Sequence, residues 1–130
     1  ACKVDSSFRW SRSSCTLNTF LNGIGTQIGT GLENSQVISN FCNYTSVGAT
    51  MSMSTSLNGQ TNWFLPSLDE LKEMYKLKVT NLTNLNSNNY TLLSSSQSSN
   101  SLCFILNTSN GSVTTTDKIN YNTAWQVRRF

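Results

Sequence analysis

The sequence predicts a single α+β domain over residues 1–130, on three observations. Two segments in the first two-thirds carry apolar residues at helical spacing. The C-terminal third is built of short runs with β-strand character. Turn signals separate those runs at hairpin intervals. A chain of 130 residues is long enough to bury one core.

In chain order, Ser6–Ser11 (SSFRWS) alternates apolar and polar side chains and is the candidate first strand. Leu21–Gly31 (LNGIGTQIGTG) is rich in glycine and reads as turns. Its GIGTQIG has no acidic residue about 20 positions on, as a dinucleotide loop requires, and no Gly-Lys-Ser/Thr, as a P-loop requires. Glu33–Tyr44 (ENSQVISNFCNY) is predicted helical, with Val37, Ile38, Phe41 and Cys42 on one stripe and Asn34 or Ser35 as cap. Gly48–Ser56 (GATMSMSTS) has period two, which puts Met51 and Met53 on a strand or in a loop.

The stretch Asn62–Tyr75 (NWFLPSLDELKEMY) contains the only proline and three of the six acidic residues. Ser67 and Glu70 have the form of a capping box, and acids in a first turn suit the positive end of the helix dipole. Leu68, Leu71, Met74 and Tyr75 form a buried face. Asp69 and Glu73 each stand three residues before a lysine, Lys72 and Lys76. Each acid therefore has a local structural task, and the cluster reads as scaffold rather than as a catalytic or metal site.

Val79–Ser101 carries no charge and is mostly Asn, Ser, Thr and Leu: an irregular loop, then a strand YTLLSSS, then a second polar loop. Leu102–Asn107 (LCFILN) is a buried strand, Thr108–Gly111 (TSNG) a hairpin turn, and Ser112–Thr116 (SVTTT) the returning strand. Asp117–Asn122 (DKINYN) turns again. Thr123–Phe130 closes the chain as a strand, with Trp125, Val127 and Arg129 on one face. Two helices and an antiparallel β-meander are the expected architecture.

Only 12% of the residues are charged, so the surface is neutral and polar, as suits an exported protein. Beginning at Ala1-Cys2, the chain reads as a mature protein or a domain excised from a longer export substrate. With no run of about 18 apolar residues, it is not expected to insert into a membrane. Cys2, Cys15, Cys42 and Cys103 are widely spaced, and there is no histidine, so two disulfides are expected rather than zinc. Three pairings are possible. Cys15–Cys42 with Cys2–Cys103 is preferred, the first fastening a loop to a helix and the second tying the N-terminus to the sheet.

Three blocks of the chain, in order, resemble the family named for the C-terminal domain of the Legionella collagen-like protein. They are TQIGTGLENSQVISNFC (26–42), NWFLPSLDELKEMY (62–75), and LLSSSQ, CFILNTSNGSVTTT and AWQVRRF in the C-terminal third. The middle block is the most specific. Two positions depart from the family pattern. Leu93 replaces a tryptophan, which changes core packing, and Gln97 replaces a common acid, which removes charge from an expected surface loop. The resemblance implies a C-type-lectin-like fold, extracellular or cell-surface display, a homotrimer on a fibrous stalk, variable surface loops and no enzymatic activity.

The expected function is that of a secreted or cell-surface adhesin head binding anionic polysaccharide, such as sulfated glycosaminoglycan, without a cofactor. From Lys76 onward there are five cations against one anion, a local excess too small for nucleic-acid binding. The candidate ligand-binding residues are Lys72, Lys76 and Lys78 on or just after the second helix, with Lys118, Arg128 and Arg129 near the C-terminus. Trimerisation would add avidity. The alternative is a protein-binding or diversified display head using the loops 80–101 and 117–123, with Tyr90 and Tyr121 as anchors. An enzyme is disfavoured. Without histidine no Ser-His or Cys-His nucleophile can be assembled, and Asp5, Glu33 and Asp117 are isolated in sequence. The Glu-Pro-Asn and Gln-Pro-Asp calcium signatures of sugar-chelating lectins are missing, since the sole Pro66 lies between Leu65 and Ser67.

Overall fold

A computed structural model describes residues 3–12, 15, 20–21, 24–44, 46–56, 59–79 and 91–128, excluding the side chains of 3–7 and 77–79. In chain order the elements are β1 (Lys3–Phe8), α1 (Gly31–Phe41), α2 (Gly48–Ser54), β2 (Trp63–Phe64), α3 (Leu68–Val79), β3 (Thr91–Gln97), β4 (Leu102–Asn107), β5 (Val113–Asp117) and β6 (Asn122–Arg128). The class is α+β, with three helices among the described residues and the strand order β1-β6-β3-β4-β5; β2 pairs with the end of β6.

The capping box forms as its residues predict. Glu70 Oε1 accepts from the Ser67 N–H at 2.8 Å, and Ser67 Oγ faces the Glu70 N–H at 3.4 Å. Glu70 also reaches outside its helix, where Oε2 accepts from Gly29 N–H at 3.3 Å. Ser67 Oγ donates to Gln27 O, and Asp69 N–H to Thr26 O. The start of α3 thus holds the turn that leads into α1. Gly31 is needed there, because a Cβ would come within 2.1 Å of Glu70 Oε1.

Three expectations are corrected. Residues 48–54 form a helix rather than a strand or loop. Its buried residues are Gly48, Ala49, Thr50 and Ser52, small side chains that a hydrophobicity pattern does not register, while Met51 and Met53 flank them half-buried. Asn34 and Ser35 do not cap α1; both lie buried inside it, and Thr30 precedes it. The last strand does not continue the meander. β3, β4 and β5 pair antiparallel in sequence, but β6 crosses back and lies between β1 and β3, parallel to the latter at Leu92↔Thr123. The burial of the strands explains the order. Ala124, Trp125 and Gln126 are buried and suit an interior strand, whereas β5 exposes Thr114 and Thr115 and suits an edge.

The sheet separates two apolar clusters. Leu92, Leu106 and Trp125 pack with Leu71 of α3. Leu93, Cys103 and Ala124 pack with Trp10, with Ile38 of α1 and with Ala49 of α2. Neighbours on β3 and β6 go to opposite clusters, as the period of a strand requires.

Beyond Leu93, β3 leaves the regular ladder. Leu93 pairs with Ile105 and Gln97 with Cys103, so Ser94–Ser96 bulge against a shorter stretch of β4. All three serines are fully buried. Ser94 Oγ donates to Phe104 O at 2.7 Å and accepts from Ser96 N–H; Ser95 N–H donates to Pro66 O. Ser96 Oγ donates to Gly25 O and accepts from Leu68 N–H at the start of α3. Asn34 completes the network, bonding Gly25 through both its amide atoms and donating to Ser95 Oγ.

A disulfide joins Cys15 to Cys42, the C-cap residue of α1, across 27 residues. Closing a loop of that length contributes about 3–4 kcal/mol in the chain-entropy account. Cys103 is a free buried thiol donating to Thr116 O, so it is not half of the expected second bridge. Cys2 lies outside the described residues.

Two glycines test the backbone separately from its surroundings. Gly59 (φ +75°) has open space where a Cβ would go, whereas at Gly111 (φ +76°) a Cβ would come within 2.5 Å of the Tyr75 ring. Gly59→Ala is expected to cost about 1 kcal/mol from backbone strain alone. Gly111→Ala should cost about 1–3 kcal/mol more through overpacking. Urea unfolding midpoints of the two variants check the difference.

Candidate anion-binding face

Of the six predicted binding residues, four are described with their side chains, and their settings differ. Lys72 and Lys76 are exposed on α3, and each meets the acid three residues earlier, Asp69 at 3.7 Å and Glu73 at 2.8 Å. Lys78 lies near the end of α3 with its side chain outside the description, and Arg129 also falls outside it. Arg128 is half-buried, and its Nε donates to Thr61 O at 3.2 Å.

Lys118 is corrected outright: it is 2% exposed and faces the interior. Its ammonium lies 4.3 Å from the centre of the Trp10 ring and donates to Gln97 Oε1 at 3.0 Å. Gln97 is buried as well, against the expectation of a surface loop. Its amide holds Leu21 through both backbone atoms, accepting from N–H and donating to O. Burial lowers the Lys118 pKa to about 8, against an upward pull from Cys103. Burial pushes the Cys103 thiol up to about 12, with Lys118 acting in the opposite direction.

Two other cations form the more promising arrangement. Residues 9–11 are fastened on both sides: Arg9 N–H donates to Ser46 O, Gly48 N–H to Arg9 O, and Ser11 N–H to Lys118 O. Trp10 is 1% exposed and anchors the segment in the core. On either side of it the arginines reach outward. The Arg9 guanidinium carbon lies 4.3 Å from the Tyr121 ring centre, and its Nη2 donates to the Tyr121 hydroxyl. Arg12 lies 4.3 Å from the Tyr44 ring centre. The two tyrosines are 56% and 41% exposed respectively.

The electrostatic contrast with α3 decides between the sets. Among the described residues neither Arg9 nor Arg12 has a carboxylate within ion-pair range, whereas both α3 lysines do. Arg9 Nε is buried without a hydrogen-bond partner, and the Arg12 guanidinium has none among the described residues. Tyr121 was legible in the sequence as an exposed aromatic. The arginines were not, because the excess of cations over anions in the sequence lies in the C-terminal half.

Among the described residues no three His, Cys, Asp or Glu side chains come together as a metal site would need. Among the described residues no helix is long and apolar enough to cross a membrane. Comparisons with family models, with curated proteins and with solved structures give no match to the chain.

The buried lysine makes a signed prediction. Folded Lys118 releases its proton near pH 8, while the unfolded chain holds it to about 10.5; between these values the unfolded state binds more protons, and stability rises with pH. Cys103 acts the other way between about 9 and about 12, because there the folded state keeps the proton. In a Cys103→Ala background, stability measured by urea unfolding should therefore rise from about pH 8 to about 10.5 relative to Cys103→Ala/Lys118→Met.

Proposed function

We propose that this domain is a non-enzymatic binding head of the adhesin type, displayed outside the cell, which takes anionic polysaccharide such as sulfated glycosaminoglycan. The observation that carries the reading is the pair of guanidinium groups, Arg9 and Arg12, each laid against an exposed tyrosine and without an acidic partner among the described residues. A guanidinium offers a planar fork of donors that matches sulfate or carboxylate, and it is more readily desolvated than an ammonium. Lys72 and Lys76 contribute less, since their own helix neutralises them.

The disulfide supports an oxidising compartment. The proposal includes the C-type-lectin-like fold and the homotrimer implied by the resemblance, with three weak sites acting together. A protein-binding head remains the second reading, favoured by the exposed Ile119 and Tyr121 on the 117–123 loop.

Retention on immobilised heparin across a salt titration tests the proposal. Two phosphate-like contacts should make affinity fall about tenfold between about 50 and about 200 mM salt. Arg9→Gln/Arg12→Gln should remove most of the retention, and Lys72→Gln/Lys76→Gln much less. Absence of retention at low salt would sink the polyanion reading and favour a protein partner.

A further inference from the structure

We infer that each arginine–tyrosine pair is a subsite for one acidic sugar ring, so that this face selects acidic saccharide chains over other polyanions. The inference rests on the polyanion reading above and adds a role for Tyr44 and Tyr121.

Charge alone would need only the guanidinium groups. Here each is laid on an aromatic ring at 4.3 Å, and at Tyr121 a hydrogen bond from Arg9 to the hydroxyl fixes the ring further. A single exposed tyrosine is ordinary. Two of them, each backed by an arginine without an acidic partner among the described residues, make a repeated unit. With the guanidinium against one part of the ring, the exposure of 56% for Tyr121 and 41% for Tyr44 leaves the remainder facing solvent.

An aromatic face carries negative charge density and attracts the polarised C–H bonds on the face of a pyranose. The sulfate or carboxylate of the same sugar can then reach the unused N–H groups of the arginine beside it. Polyphosphate offers the charge without the ring.

Spacing links the two subsites. Arg9 and Arg12 are three residues apart, so their Cα atoms are at most about 11 Å from each other. A separation of that order lies within the span of one saccharide chain, which is the arrangement the inference requires. The fastened backbone of residues 9–11 limits the ordering that binding requires.

The experiment measures affinity for a heparin-derived octasaccharide, its disaccharide, a polyphosphate and a single-stranded oligonucleotide matched in charge to the octasaccharide. It uses the whole chain, its Tyr44→Ala/Tyr121→Ala variant and its Tyr44→Phe/Tyr121→Phe variant, with thermal unfolding showing that all three are folded. The octasaccharide should bind more tightly than the other three probes. The alanine pair should weaken it about tenfold or more without changing polyphosphate, and the phenylalanine pair should retain most of the affinity. If the alanine pair weakens octasaccharide and polyphosphate equally, or neither, the subsite assignment falls while polyanion binding stands. Tighter binding of the oligonucleotide overturns the saccharide assignment. If nothing binds, the polyanion reading falls with it.

Discussion

The structure depends on a short run of buried serines. At Ser94–Ser96 strand β3 gives up its regular pairing, which would leave backbone groups unpaired inside the protein. Each such group costs about 1–3 kcal/mol when unsatisfied. The serine hydroxyls, Asn34 and the carbonyl of Pro66 close the account, and in doing so they join parts of the chain that are far apart in sequence. Gly25, the start of α3, and β4 all meet at this network. The apolar clusters supply the bulk of the driving force, while the polar network fixes which segment lies against which.

The same economy extends to the end of β3. Gln97 holds Leu21, Lys118 bonds to Gln97, and Trp10 receives the lysine on its ring. Trp10 then anchors the segment from which Arg9 and Arg12 extend. The candidate face is therefore an outer layer on a buried polar column, and its backbone is positioned by residues that never meet solvent.

Much of this was legible where local chemistry and tertiary environment agree. The capping box at Ser67–Glu70, the apolar stripe of α3 and the hairpin at Thr108–Gly111 follow from residue type and spacing, and Cys15–Cys42 was half of the preferred pairing among three. Legibility failed where polar residues go inside. Asn34 and Ser35 look like caps, Ser94–Ser96 like a strand leading into a polar loop, and Gln97 and Lys118 like loop residues, because nothing local marks a polar side chain whose partners lie up to 76 positions away. Helix α2 failed for the opposite reason: its buried face is made of residues too small to leave a hydrophobic signature. The placement of β6 beside β3 is a decision of the whole sheet, and no turn announces it.

The Cys15–Cys42 bridge has a further meaning for the face. Cys15 follows Arg12 by three residues, and Cys42 precedes Tyr44 by two. One covalent bond therefore links the two strands of chain that carry the Arg12–Tyr44 pair. In the reduced, unfolded chain those partners sit on segments joined only through a loop with a sequence separation of 27, and their meeting has to be found again by diffusion. Oxidation holds them as neighbours, so half of the proposed recognition surface matures in the same chemical event that locks the fold.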